Sequence, residues 1–167
     1  MTRLVLLPVL LAGAVAVAAA ATPLKTARSG DVSLKVPAAW KVTVRRGVIP
    51  LVATARVPVG GYTPNVTVVA GPVRGNESVE VWRRQITQGL GGLTGGKPTS
   101  RIVRLPAGRA VELSIKGGGK GNSPRLLLYA IDAGRKAYVV TYTASASTWR
   151  RFEALFRTMA RSVRVRR

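Results

Sequence analysis

The sequence contains no cysteine and no histidine, and each absence excludes a class of chemistry. Without cysteine the chain can form no disulfide, no thiolate zinc site and no thiol nucleophile. Without histidine it lacks the usual near-neutral general base, the base of a Ser-His-Asp triad and the commonest metal ligand. The composition therefore predicts a protein that is not an enzyme and has no metal or cofactor site.

Acidic residues are also scarce, since six Asp and Glu face 27 Lys and Arg and give a formal charge of +21. Arg3 is the only charged residue among the first 21, so almost all of this charge belongs to the rest of the chain. Such a charge attracts polyanions, namely nucleic acid, anionic lipid, acidic polysaccharide or an acidic protein. A second interpretation is that a biased genomic base composition favours arginine and that the basic side chains form a solvated surface.

The few carboxylates show no spacing that is typical of a hydrolase. Glu77 and Glu80 fit the first turn of a helix, where the helix dipole favours negative charge. A run over residues 91–97 matches G-x-x-x-x-G-K, but Pro98 stands where a phosphate-binding loop needs Ser or Thr. Convergence of distant carboxylates in the fold would still allow a hydrolase with an unrecognised site.

Residues 1–21 resemble a secretory leader. Arg3 gives a short positive start, an apolar run follows, and four alanines precede Thr22. This pattern predicts a Sec-type signal peptide cleaved after Ala20 or Ala21. We therefore expect an exported protein of the periplasm, the cell envelope or the extracellular space. An uncleaved anchor stays open, since an apolar run of about 18 residues marginally spans a bilayer.

After the leader, residues 22–30 are polar and basic without periodicity, which predicts a mobile linker before one domain over residues 31–165. Alternating apolar and polar residues then predict four strands, a helix, four more strands and a last helix. The predicted strands cover residues 32–36, 40–45, 49–57, 65–73, 100–105, 111–116, 125–131 and 137–143. Short connections between them favour antiparallel pairing.

Two segments have helical periodicity. The first is capped by Asn76, ends at glycines 89, 91 and 92, and places on one face Val79, Trp82, Ile86 and Leu90. The last has Ser147 as its expected N-cap and places on one face Trp149, Phe152, Phe156, Met159 and Val163. We expect the rings of Trp149, Phe152 and Phe156 to pack on the sheet. Because both helices bury an apolar face on a mostly antiparallel sheet, the predicted fold class is α+β.

Several short segments resemble the Mog1/PsbP-like family, which includes small secreted bacterial proteins. The matching segments are residues 36–40 (VPAAW), 65–68 (NVTV) followed by the helix over 78–90, 105–110 (LPAGRA), and 137–144 (AYVVTYTA) followed by a helix that ends at 160–164 (ARSVR). The resemblance implies a mostly antiparallel sheet flanked by two or more helices, an α/β/α sandwich. It also implies an adaptor, assembly or binding protein. The members of the family share no active site, so the resemblance implies no functional residues.

Two groups of basic residues are candidates for binding anions through phosphates or lipid headgroups. One lies on the polar side of the last helix and consists of Arg150, Arg151, Arg157 and Arg161, and the other consists of Arg45, Arg46, Arg83 and Arg84. Tyr62, in a segment rich in Gly and Pro, is a candidate ligand-contacting residue. We expect a cationic accessory protein that recruits an acidic partner or an anionic envelope surface. The alternative is an exported binder of nucleic acid or another polyanion.

Overall fold

The computed structural model of the chain describes residues 22–45, 47, 50–72, 79–94, 98–117, 123–134 and 136–166. The expected signal peptide over 1–21 lies outside these ranges, as do Arg46, Asn76 and Glu77, so the statements made about them stay predictions. No helix within the described ranges is long and apolar enough to cross a membrane.

The described residues form ten strands and two helices. The strands are β1 (Leu24–Ser29), β2 (Val32–Pro37), β3 (Lys41–Val44), β4 (Leu51–Thr54), β5 (Asn65–Pro72), β6 (Thr99–Leu105), β7 (Gly108–Lys116), β8 (Pro124–Asp132), β9 (Lys136–Ser145) and β10 (Arg164–Val165). The helices are α1 (Val79–Thr94), between β5 and β6, and α2 (Trp149–Arg161), between β9 and β10.

The strands form two antiparallel sheets. The larger has seven strands in the order β3-β4-β5-β9-β8-β7-β6, and the smaller has three in the order β1-β2-β10. Neighbours β6 to β9 follow one another along the chain with connections of two to seven residues, as the hairpin-length connections predict. The α+β class with a mostly antiparallel sheet is therefore confirmed.

Different elements cover the two faces of the seven-stranded sheet. Alternate residues of β8 point to opposite faces, and Leu127 belongs to the main core while Leu128 belongs to a second cluster. The main core contains the apolar side of α2 and the inner side of the three-stranded sheet. The second cluster contains Val79 of α1. The sheet is thus layered between α2 with the small sheet on one side and α1 on the other.

The aromatic face of α2 packs as its periodicity predicts. The ring centroid of Phe156 lies 5.8 Å from that of Trp149 and 5.8 Å from that of Phe152. On the sheet side, Phe156 contacts Tyr142 of β9 with the centroids 5.3 Å apart. Met159 and Val163 are also buried, so the apolar side of this helix faces the main core.

The prediction of a linker over residues 22–30 is wrong for residues 24–29, which form β1 and pair along β2. Only Ala27 and Ser29 of β1 are buried, so the strand buries two small side chains and has no apolar periodicity. Its order comes from the hairpin with β2, which turns at Gly30 with a φ of 54°. Five strands rather than four therefore precede α1.

The helix ends also differ from the prediction. The first helix continues through Gly91 and Gly92 to Thr94. The N-cap of α2 is Thr148 rather than Ser147, and its side chain makes no capping hydrogen bond. Its hydroxyl instead lies 2.7 Å from the hydroxyl of Ser145 at the end of β9.

Candidate anion-binding surface

An ionic network around the buried Glu112 links α2 to the sheet. The Arg157 guanidinium contacts Glu112 of β7 at 3.0 Å and Glu153 at 2.9 Å. The other Glu112 contacts are an ion pair of 2.9 Å with Arg101 and a hydrogen bond of 2.8 Å donated by the Tyr129 hydroxyl. The side chain of Glu112 is only 8% exposed, so its charge is compensated inside the fold.

The protonation states in this network follow from its contacts. Burial alone would raise the pKa of Glu112, but hydrogen bonds from Arg157 and Tyr129 outweigh it and leave that pKa below its ordinary value. Burial, followed by the hydrogen bond to Glu112, raises the pKa of Tyr129. At neutral pH the network therefore contains an ionised Glu112 and a neutral Tyr129, an arrangement that stabilises the packing of α2.

The structure separates the predicted anion-binding group on α2 into one internally paired arginine and three exposed arginines. Arg157 is held between Glu112 and Glu153, so its charge is used within the molecule. Arg150, Arg151 and Arg161 are exposed, and within the described residues none of them forms an ion pair. Arg151 lies over the Phe152 ring at 5.9 Å.

A groove of about 400 Å³ joins Arg161 to basic residues of the small sheet. We call it the C-terminal groove, and the residues that define it are Thr26, Ser33, Lys35, Arg161, Ser162 and Arg164. Three of these are cations and three carry hydroxyl groups, and none of its described lining residues is a carboxylate. The Ser162 hydroxyl donates to the Met159 carbonyl, so the groove offers an anion positive charge together with the hydroxyl groups of Thr26 and Ser33.

The sequence does not predict that Lys35 and Arg164 lie together. They come close because β10 pairs with β2, with Arg164 opposite Ser33. A strand of two residues leaves no detectable alternation in a sequence. The only available signal was the alternation of β2, which already predicted that Ser33 and Lys35 point outward.

The second predicted group is not brought together. Arg45 directly follows β3, at one edge of the seven-stranded sheet, and Arg46 lies outside the described residues. Arg83 and Arg84 belong to α1, which packs near β6 and β7 at the opposite edge. Arg83 donates a hydrogen bond of 3.5 Å to Ser100 of β6. Arg45 therefore does not form one patch with Arg83 and Arg84.

Tyr62 is half-buried in a tight loop. Its backbone pairs with that of Val59 across Gly60 and Gly61, both of which have positive φ. A Cβ on Gly60 would lie 2.8 Å from the Ser147 hydroxyl, so this loop packs closely on the turn before α2. The side-chain amide of Asn65 donates a hydrogen bond of 3.5 Å to the Tyr62 hydroxyl. A ligand-contacting role for Tyr62 stays a prediction.

A larger cleft of about 830 Å³ lies where the β1–β2, β6–β7 and β8–β9 turns meet β10. Two carboxylates line it, Asp31 and Asp132, which sequence spacing did not place together. Asp31 forms an ion pair of 2.6 Å with Lys136, and Asp132 accepts a hydrogen bond of 2.9 Å from the Gly134 amide.

Convergence of two carboxylates is what the hydrolase alternative requires, so the chemistry of this cleft matters. A glycosidase-type mechanism needs one carboxylic acid whose pKa is raised. The hydrogen bond and the charge of Lys136 instead lower the pKa of Asp31, which stays ionised. The Asp132 carboxylate accepts its hydrogen bond from the Gly134 amide of its own turn. The arrangement offers an ion-paired cleft rather than an acid and base pair.

Solved structures of low sequence identity share the architecture described above. Cyanobacterial PsbP from Synechocystis superposes with a TM-score of 0.59 at 13% identity, over 89% of this chain and 96% of that one. The Ran-binding protein Mog1p from Saccharomyces cerevisiae gives 0.58 at 12% identity, over 86% and 96%. The chain has a Mog1/PsbP-like fold. LpqN, involved in cell envelope biogenesis of Mycobacterium tuberculosis, gives 0.59 at 12% identity, over 87% and 91%.

No protein-family model and no curated protein matches the sequence. At these identities the Mog1/PsbP-like fold establishes how the chain is built and assigns no residue a role. The C-terminal groove and the cleft are therefore interpreted from their own chemistry.

Proposed function

We propose that this chain is an exported, non-enzymatic binding protein whose cationic surface engages an acidic partner or an anionic surface of the cell envelope. The observation that carries the proposal is the positive charge that remains after the internal ion pairs have formed. Four of the five described carboxylates are held in ion pairs, namely Asp31, Glu80, Glu112 and Glu153. The exposed cations of α2 and of the C-terminal groove are left for an external partner.

Two further observations support this function. The sequence pattern of residues 1–21 is that of an export signal, which would bring the domain to the cell envelope. Among proteins with the same fold, Mog1p is named for binding Ran and LpqN for cell envelope biogenesis. The first name supports a binding role, and the second supports a role in the cell envelope.

Nucleic-acid binding is the alternative, and the placement of the aromatic residues argues against its single-stranded form. Proteins that bind single strands stack bases on exposed aromatic rings beside basic residues. Every aromatic side chain that the structure describes is buried or half-buried. The cations could still contact a phosphate backbone, so DNA belongs in the test.

The proposed function can be tested by returning the exported protein to envelopes that have been stripped with salt. We expect binding at low ionic strength and release at about 1 M salt, where the Debye length falls to about 3 Å. Binding that survives protease treatment of the envelopes would indicate a lipid or polysaccharide surface, and loss would indicate an acidic protein. Failure to bind envelopes at low salt, or binding that salt does not alter, would overturn the proposal.

A further inference from the structure

The outer face of the three-stranded sheet carries mostly cationic and hydroxyl side chains, with Leu24 as its apolar member at one end. Alternate residues of a strand share a face, and the pairing of β1 with β2 sets Thr26 beside Lys35 and Arg28 beside Ser33. The pairing of β10 with β2 adds Arg164 beside Ser33. Arg161, in the last turn of α2, completes the wall of the C-terminal groove.

Backbone contacts hold the walls of the groove in place. Ser162 accepts a hydrogen bond of 2.8 Å from the Lys35 amide and donates one of 2.5 Å to the Met159 carbonyl. One terminal nitrogen of Arg164 donates to the carbonyls of Arg161 and Val163, each at 3.0 Å. The Arg164 guanidinium is therefore held in place, which lowers the entropy lost when this side chain binds an anion.

The groove also lies where the chain enters the domain. Leu24 lines it and is separated from the apolar run over residues 4–21 only by Thr22 and Pro23. Three residue steps of extended chain reach about 10 Å. If the leader is kept as an anchor, the groove lies within about one Debye length of the membrane surface. If it is cleaved, the new α-amino group adds a positive charge at the same end.

Resting on the function proposed above, we infer that the C-terminal groove and the outer face of the three-stranded sheet bind the phosphate headgroups of an anionic phospholipid membrane. Arginine suits this role because its guanidinium donates two parallel hydrogen bonds to phosphate oxygens. The groove volume of about 400 Å³ falls in the range of small-ligand sites and suits one headgroup.

Other acidic partners fit this face less well. Tight protein interfaces are anchored by aromatic residues and arginines in desolvated pockets, and the described lining of the groove has arginines but no aromatic residue. Single-stranded nucleic acid would need rings for stacking. A membrane surface requires only charge and hydrogen-bond donors, which are the groups present.

The test compares two variants of equal charge. The groove variant carries Lys35→Gln, Arg161→Gln and Arg164→Gln. The control variant carries Lys41→Gln, Arg84→Gln and Arg104→Gln, which likewise removes one lysine and two arginines. The three control residues are exposed and lie on β3, α1 and β6, on the side of the large sheet that faces away from the small sheet.

The measurement is the affinity of the exported proteins for vesicles of phosphatidylglycerol and phosphatidylcholine, with phosphatidylcholine vesicles as reference and labelled DNA as the alternative ligand. A basic residue near an anionic surface contributes about 1 kcal/mol, so the groove variant should bind about 100-fold more weakly, at tenfold per 1.4 kcal/mol. The control variant should lose less than about tenfold, because its charges lie farther from the surface. A double variant with Lys35→Gln and Arg161→Gln spares the Arg164 hydrogen bonds in case the triple variant folds poorly.

Each other outcome identifies which proposal fails. Equal losses in the two variants would overturn the groove as the site and leave the general cationic function standing. Wild-type protein that binds both kinds of vesicle equally, or that prefers labelled DNA, would overturn the membrane assignment. Displacement from vesicles by millimolar inorganic phosphate would reduce the site to one for free phosphate.

Discussion

At the scale of single residues, Tyr142 has the least favourable environment in the main core. Its side chain is fully buried, and among the described residues its hydroxyl is the one buried side-chain polar atom without a hydrogen-bond partner. An unsatisfied buried polar group costs about 1–3 kcal/mol. Tyr142→Phe should therefore raise the free energy of unfolding by about 1 kcal/mol, measured by urea denaturation.

Tyr129→Phe is the matched control, because it removes the same atom from a hydroxyl that is in use. It deletes the hydrogen bond of 2.8 Å to Glu112 and should lower the free energy of unfolding by about 1–3 kcal/mol, since it leaves a buried carboxylate oxygen without that donor. If the two substitutions had the same effect, the assignment of the two hydroxyls would be wrong.

Glu112 should make the free energy of unfolding depend on pH in the acidic range. Although burial opposes it, hydrogen bonding lowers the pKa of Glu112 in the folded state. Its stabilising contribution is therefore complete above the unfolded-state pKa of about 4.3 and is lost as pH falls through the lower folded-state value. Unfolding free energies measured from neutrality into this range should fall more for the wild type than for Glu112→Gln. An identical decline in both would contradict the role of the network.

The residue scale also shows how far sequence reasoning reaches. Glu153 and Arg157 lie four residues apart on α2, a spacing that favours an ion pair on a helix, and they form one of 2.9 Å. The partner Glu112 lies 45 residues from Arg157 in sequence, so nothing local reveals that this arginine is held inside the fold. Lys35 joins the groove through a contact with Ser162 that is 127 residues apart. Local patterns predict faces, whereas sites built from distant elements require the pairing of the strands.

At the scale of elements, β1 is the clearest departure from the sequence prediction. As an edge strand paired along its full length with β2, it should protect about half of its amides, those directed at β2, from hydrogen exchange. Exchange monitored by NMR should show alternating protection over residues 24–29. Uniformly fast exchange there would restore the linker interpretation.

The other elements were predictable because they bury regular apolar patterns. The run over residues 125–131 forms most of β8, a central strand with neighbours on both sides, and the periodic aromatic residues of the last helix all face the core. By contrast, β1 and β10 bury few side chains and owe their order to backbone pairing with β2. Elements that are ordered mainly by a partner strand leave little trace in their own sequence.

At the scale of the whole molecule, the fold and the charge carry different information. The Mog1/PsbP-like architecture is reached at 12–13% identity to PsbP, Mog1p and LpqN, so packing rather than sequence is what these proteins share. The charge of +21 belongs to this chain. Internal ion pairs hold most of its carboxylates and leave most of its cations at the surface, where an external anion can bind them.

The measurement that tests this account most directly is the affinity of the wild-type protein for anionic vesicles across a salt series. Because the cations are exposed, their attraction should be screened as the Debye length shrinks from about 30 Å at 0.01 M salt to about 3 Å at 1 M. We predict tight binding at low salt that falls steadily and is lost at the highest concentration. Absence of binding at low salt, or an affinity that does not change with salt, would contradict the claim that this protein functions by binding anionic partners through its surface charge.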